Sequence, residues 1–351
     1  MSAGQVEQIE STIRRMLSMA ESAKISLTPL RGGKNNRSFL LRIEDRDLFV
    51  KSYFLSPEDP RPRGATEYTF LELCKTYRVS GVATPLAFDG SSQVGIYELL
   101  PGISFSKELV TEDAVDQAIN FFSSLNRLRG TPEAQLLPHA SEACFSVDMH
   151  LATVTRRLSR LSSISVVDDI SRHTKIFVGE EIPPIWETIK LSLQEHVSES
   201  HEDSTSLLPL SFRCLSPSDF GFHNALTSPE RVVFVDFEYS GWDDPAKTVC
   251  DFFCQPEIPV PIHFFDAVCR GFLKSTEEPF ETCYTRAKAL FPLYQLKWCC
   301  ILLNDFLPVG NSRRAFAATF LEGDCDQGVD RRAAQLTKVQ QLLSTIKVSK
   351  I

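Results

Sequence analysis

The sequence predicts an α+β fold of two lobes, a small one built on a β-sheet over residues 1–102 and a larger, mainly helical one over residues 103–351. Three observations carry that expectation. Two alternating runs at 37–43 and 47–54 flank the charged turn Glu44-Asp45-Arg46-Asp47, the pattern of a hairpin with one buried face. From 112 to 205 apolar residues recur at helical spacing instead. Near 209–239 the period changes again, through a loop, a short strand Asn224-Ala225-Leu226-Thr227, a Ser-Pro turn and a continuous apolar strand from Arg231 that carries Asp236.

Taken in order, residues 4–23 read as an amphipathic helix, followed by a loop with Gly32-Gly33-Lys34-Asn35-Asn36 and then the hairpin. Residues 65–77 place Tyr68, Leu71 and the Leu73/Cys74 pair on one helical face. Two short strands within 82–89 and 93–100 complete the small lobe, which ends at a hinge, 97–102, closing on Pro101-Gly102. Helices are expected over 111–128 and 183–197, the second opening on prolines where a first turn tolerates them, and again over 286–307 and 330–346. Residues 197–205 read as a solvated linker, and no internal repeat is visible.

Composition narrows the function. Lys and Arg number 37 against 45 Asp and Glu, a net charge of −8 that argues against a nucleic-acid partner. No stretch is long and apolar enough to enter a membrane, and residues 1–24 lack the apolar run of a secretion signal, so a cytoplasmic location is expected. The ten cysteines are scattered without a CxxC pair, which favours free thiols over bridges or structural zinc.

The most informative constellation is Asp219-Phe220-Gly221-Phe222-His223-Asn224, with Asp236 twelve residues after Asn224 at the end of the apolar strand. Phosphoryl transfer needs a carboxylate to orient or deprotonate a hydroxyl, and oxygen ligands to hold magnesium on the phosphates. Asp219 suits the first task; Asn224 and Asp236 suit the second. A plain surface turn would use the same residue types. Upstream, Lys51 stands in the apolar run Leu48-Phe49-Val50-Lys51, where an unpaired ammonium is costly, and Glu67 follows sixteen residues later on the expected helix. The alternative is a lysine on the open face of an edge strand. The Gly32–Asn36 loop has the backbone freedom to approach a phosphate, although ordinary turns favour the same residues.

This order of parts resembles the aminoglycoside phosphotransferase and choline/ethanolamine kinase families, which share the protein-kinase-like two-lobed fold. The resemblance spans residues 27–254. Their glycine-asparagine loop is similar to Gly32, Gly33, Asn35 and Asn36; their strand lysine and helix glutamate to Lys51 and Glu67; and their hinge to Tyr97–Gly102. Their catalytic loop resembles the segment 215–226, and their metal-binding strand end the segment 232–239 with Asp236-Phe237-Glu238-Tyr239. The resemblance implies ATP with magnesium as donor, a small molecule's hydroxyl (amino sugar, sugar, aminoglycoside or choline-like alcohol) as acceptor, and adenine bonded to the backbone around Glu98 to Leu100. It implies a structural role for Asp251.

One departure stands out: the histidine two residues before the families' catalytic aspartate is Pro217 here. That histidine mainly braces the loop, and its absence opens a second reading, an inactive relative that binds nucleotide and a protein partner. A protein kinase is disfavoured, since no Ala-Pro-Glu follows Asp236. His223 is open to a role at substrate or phosphate, or to plain packing. Trp242, Tyr294 and Trp298 could enclose a cationic acceptor or simply pack, and Arg313-Arg314 could grip an anionic one or face solvent.

Overall fold

The computed structural model describes residues 3–30, 35–55, 59–200, 203–229, 231–274, 276–307, 316 and 327–346. Gly32, Gly33, Lys34, Arg313 and Arg314 lie outside them.

In the small lobe, helix α1 (Ala3–Met16) precedes strands β1 (Ile25–Leu30), β2 (Arg37–Ile43) and β3 (Arg46–Ser52), helix α2 (Arg63–Thr76), and strands β4 (Pro85–Asp89) and β5 (Val94–Glu98). The strands form one antiparallel sheet in the order β1-β2-β3-β5-β4. Glu44 turns the hairpin with φ 52°, and Arg42 bonds Asp47 at 2.7 Å across it. Alternation buries Phe39 and Leu41 of β2 with Leu48 and Val50 of β3 against Ile9 and Ile13 of α1. α2 covers the other face, and its Phe70 and Leu71 join the core of the large lobe. Strand β1 is a departure from the sequence reading, which saw a loop there. It is an edge strand whose alternation is short: Ile25 and Leu27 pack against the small-lobe core, and Pro29 then breaks the pattern.

In the large lobe, the short strand β6 (Ile103–Ser104) leads into helices α3 (Glu112–Asn126), α4 (Pro132–Gln135), α5 (Val147–Leu161), α6 (Asp169–Glu180) and α7 (Ile182–Ser200). Thr111 and Ser146 cap α3 and α5 with side-chain oxygens. Strands β7 (Cys214–Ser216), β8 (Ala225–Thr227), β9 (Val232–Phe234) and β10 (Gly241–Asp243) follow, then helices α8 (Pro245–Cys254), α9 (Phe265–Leu273), α10 (Phe280–Leu302) and α11 (Gln327–Thr345). β10 pairs with β7, and β8 lies between β6 and β9. Several boundaries differ from expectation. α1 stops at Met16 rather than reaching 23, and α10 begins at Phe280 and ends at Leu302 rather than spanning 286–307. α7 runs on into the linker as far as Ser200, and the apolar strand ends at Phe234 rather than continuing to Asp236. The strand's stop has a backbone cause: Asp236 sits at φ 68°, outside the β region.

A phenylalanine cluster positions the loop between β7 and β8. Phe220 packs on Phe234 and Phe252 with ring centroids 5.0 and 5.2 Å apart, and Phe222 packs on Phe105 at 4.8 Å. With both rings buried, the side chains flanking them, Asp219 and His223, are directed elsewhere and remain partly exposed.

Candidate active site

Lys51 lies in the central strand of the five, so the edge-strand alternative is excluded. Its residue exposure is only 6%, and its ammonium is satisfied by Glu67 Oε2 at 2.7 Å and Asp236 Oδ1 at 2.6 Å. Burial works against the charge, but Asp236, Glu67 and Glu238 outweigh it and hold the Lys51 pKa well above its ordinary value. Glu67 is fixed in turn: Tyr53 donates its hydroxyl to Oε2 at 2.8 Å, and the Phe237 amide donates to Oε1 at 3.3 Å. Lys51, Glu67 and the strand end 236–237 therefore form a closed ring of bonds between the lobes.

From Asp236 the connection continues to the loop. The Val235 amide donates to the Asn224 carbonyl at 3.0 Å, and Asn224 Nδ2 donates to the Asp219 carbonyl at 3.0 Å. Committing the amide nitrogen this way leaves Asn224 Oδ1 as the oxygen available to a cation. Asp219, its side chain about a third exposed at 32%, meets His223 Nε2 at 3.0 Å. Burial raises the Asp219 pKa, yet the electrostatic attraction and hydrogen bond of the His223 ring, with help from Asn224 and Lys297, bring it below the usual aspartate range. The carboxylate is thus in its proton-accepting form at neutral pH. Among the described residues no group of three or more His, Cys, Asp or Glu side chains could hold a metal by itself. One carboxylate and one amide oxygen fit magnesium, a hard cation that keeps few protein ligands and completes its shell with phosphate oxygens and water.

Backbone strain marks the same place. Ser218 and Asp236, neither of them glycine, have φ values of 69° and 68°, as chemically active positions often do. The loop needs no histidine at 217 to hold this shape. Asp219 N bonds the Pro217 carbonyl at 3.0 Å, Ser218 N bonds Ser216 Oγ at 3.0 Å, and Thr248 donates to the same Ser216 oxygen at 2.9 Å.

The remaining candidates separate. Asn36 is buried with both ends of its amide engaged, Nδ2 on Glu238 Oε2 at 2.5 Å and Oδ1 on the Phe54 amide at 3.0 Å. Asn35 reaches Glu238 Oε1 at 3.4 Å. These asparagines tie the small lobe to Glu238 of the large lobe. Glu238 escaped the sequence reading as a site residue, although it stands inside the Asp236–Tyr239 motif. It is buried beside Arg63, with which it forms an ion pair at 3.7 Å, and burial together with the Asp236 carboxylate pushes its pKa up. At the hinge, the Glu98 amide bonds the Thr84 carbonyl at 2.9 Å and its carboxylate accepts from Thr84 N at 3.1 Å, while Leu100 lies beyond the strand.

The aromatic candidates divide too. Trp242 is buried with its indole N–H on the Ala134 carbonyl at 2.9 Å, and Tyr294 is buried with its hydroxyl 2.7 Å from His150 Nδ1. Both belong to the core. Trp298 stands edge-on to His223, ring centroids 6.1 Å apart, and donates to Asp251 Oδ1 at 3.1 Å. Asp251 also binds Lys297 at 2.7 Å and Lys247 at 3.2 Å, which joins α8 to α10 beneath the loop.

The described residues contain no helix long and apolar enough to cross a membrane. No curated protein sequence matches the chain. Solved structures do match in fold. A choline/ethanolamine kinase family protein from Mesorhizobium loti is 16% identical with a TM-score of 0.57, covering 97% of this chain and 95% of that one. A spectinomycin phosphotransferase, solved with ADP and spectinomycin, is 10% identical with a TM-score of 0.62, covering 97% and 98%. The choline kinase LicA from Streptococcus pneumoniae is 16% identical with a TM-score of 0.55, covering 95% and 99%. The two-lobed, protein-kinase-like fold is therefore shared along nearly the whole chain. Residues 26–275 match the model of the phosphotransferase enzyme family, and with most of its length accounted for in this way the chain belongs to that family.

Proposed function

We propose that the protein is a small-molecule kinase that transfers the γ-phosphoryl group of ATP to an alcohol, with Asp219 as the base. The observation that carries this reading is the unbroken run of bonds from Asp219 through Asn224 and Val235 to Asp236, Lys51 and Glu67. Phosphoryl transfer requires little covalent chemistry from a protein. It requires positioning and charge stabilisation, and these groups supply both.

Asp219 orients the acceptor hydroxyl for in-line attack and takes its proton as the new oxygen–phosphorus bond forms and the bond to the ADP oxygen breaks. Lys51 offsets charge on the phosphates, held for that task by Glu67. Asn224 and Asp236 would hold magnesium, which when bound neutralises charge on the nucleotide's phosphates. The backbone near Leu100 would receive adenine, and the loop of Gly32 and Gly33 would cover the phosphates. The acceptor is the hydroxyl of a small molecule: an amino sugar, another sugar, an aminoglycoside or a choline-like alcohol.

Pro217 favours a second reading, a nucleotide-binding relative without transfer activity. The serine and threonine bonds that brace the loop speak against it. Purified protein with ATP and magnesium is screened against choline, ethanolamine, spectinomycin, streptomycin and simple amino sugars, with ADP release as readout. Acceptor-dependent ADP supports the kinase; ATP binding without transfer to any compound supports the second reading; no ATP binding refutes both.

A further inference from the structure

We infer that His223 is the positioning residue of the candidate base, donating its Nε2–H to one oxygen of Asp219 so that the other faces the acceptor hydroxyl. This rests on the reading of Asp219 as base, and it assigns a task to a side chain four positions along the same loop.

The first support is how the loop is built. Phe220 and Phe222 are buried in the phenylalanine cluster, which leaves Asp219 and His223 to meet outside it, 3.0 Å apart. The second is space made for the ring. A Cβ at position 221 would lie 2.9 Å from His223 Nδ1 and 3.1 Å from Cε1, so any side chain there would push the imidazole from its seat. Gly221 itself has φ 164°, ordinary extended backbone, and it is the missing side chain rather than conformational freedom that matters. The third is a wall behind the ring: Trp298 meets it edge-on and is itself pinned to Asp251.

The fourth support fixes the hydrogen. Nδ1 is buried and has no hydrogen-bond partner among the described residues. A hydrogen on Nδ1 would leave a buried N–H unpaired and turn a lone pair on Nε2 toward a carboxylate, two unfavourable outcomes together. The hydrogen therefore sits on Nε2, where the bond to Asp219 is charge-assisted. The other charged groups near the pair are Lys297 and the Asp251 that binds it. Ser216 and Thr248 hold the loop's backbone while His223 holds the carboxylate, which divides between separate residues the bracing that a histidine at 217 would give.

The test compares His223→Asn, which withdraws the donor, with His223→Gln, whose amide reaches about as far as Nε2. Asp219→Asn is measured alongside. The readouts are ATP affinity by calorimetry, kcat and KM with any acceptor from the screen (basal ATP hydrolysis with magnesium otherwise), and the 15N shifts of His223. We expect His223→Asn to lose about 10- to 100-fold in kcat, the usual scale for an outer partner, with ATP affinity within about two-fold, and His223→Gln to recover most of that loss. In the unaltered protein the 15N shifts show hydrogen on Nε2. Equal losses in the Asn and Gln variants, or hydrogen on Nδ1, would overturn the inference, and the second result needs no variant to fold. Unchanged kcat in His223→Asn with an inactive Asp219→Asn overturns the inference alone, whereas full activity in Asp219→Asn overturns the reading beneath it.

Discussion

The ammonium of Lys51 lies 2.6 Å from a carboxylate oxygen of Asp236, a bond between the central strand of one lobe and the strand end of the other. Lys51 also meets Glu67, whereas Asp236 has no other ion-pair partner among the described residues. Replacing Lys51 by Met is expected to cut transfer by about 10²–10³-fold, the scale for losing one preorganised stabiliser of developing charge. It also strands the buried Glu67, and breaking such a pair typically lowers stability by about 3–5 kcal/mol. Turnover and urea unfolding measured together check both halves; an unchanged unfolding midpoint would count against a tightly coupled pair.

Asn224 donates its side-chain nitrogen to the Asp219 carbonyl, and its oxygen is the one proposed to meet magnesium. Asn224→Ala should raise the magnesium concentration for half-maximal transfer by about ten-fold or more, as loss of an oxygen ligand does. A magnesium titration of the transfer rate is the check. An unshifted midpoint would remove Asn224 from the ligand set.

Gly241 opens β10 at φ 153°, and a Cβ there would lie 2.3 Å from the Pro138 carbonyl oxygen and 2.6 Å from the Ala140 amide nitrogen. These are backbone atoms that hold Trp242 in place, so they have little room to yield. Gly241→Ala is expected to destabilise by at least about 2 kcal/mol. Gly130 has nothing within 4 Å of the same added carbon, so Gly130→Ala should be close to neutral. Chemical denaturation of both variants makes the comparison.

His150 is buried between Tyr294 and Asp244. Burial opposes its charge, but Cys144 and Asp244 raise its pKa to about 9. The unfolded value is about 6.5. With the folded pKa the higher of the two, the contribution is fully present below pH of about 6.5 and is lost as pH rises through about 9. The urea midpoint should fall across that window, and His150→Gln should flatten the fall; identical slopes would show that another group is responsible.

Much of this was legible in the sequence, and the residues show why. The hairpin carrying Lys51 announced itself by alternation, and β2 and β3 lie where it placed them to within two residues. The Asp219–Asn224 spacing and the strand before Asp236 could be read because each needs a specific residue type at a specific place. β1 was missed because its alternation is only Ile25 and Leu27 long before Pro29 interrupts it. Glu238 was hidden differently: its partners Asn36 and Arg63 lie some 200 and 175 positions away, and only the fold brings them together. The meeting of His223 with Asp219 is local, and the alternation of Phe220 and Phe222 was the signal that could have revealed it.

The central claim is that Asp219 accepts the hydroxyl proton during transfer. Side-by-side measurement of phosphoryl transfer and ATP binding in Asp219→Asn tests it most directly. We predict ATP affinity within about two-fold of the unaltered protein and a loss of about 10²-fold or more in kcat, the scale of a positioned base. Transfer at the original rate, with binding intact, would contradict it.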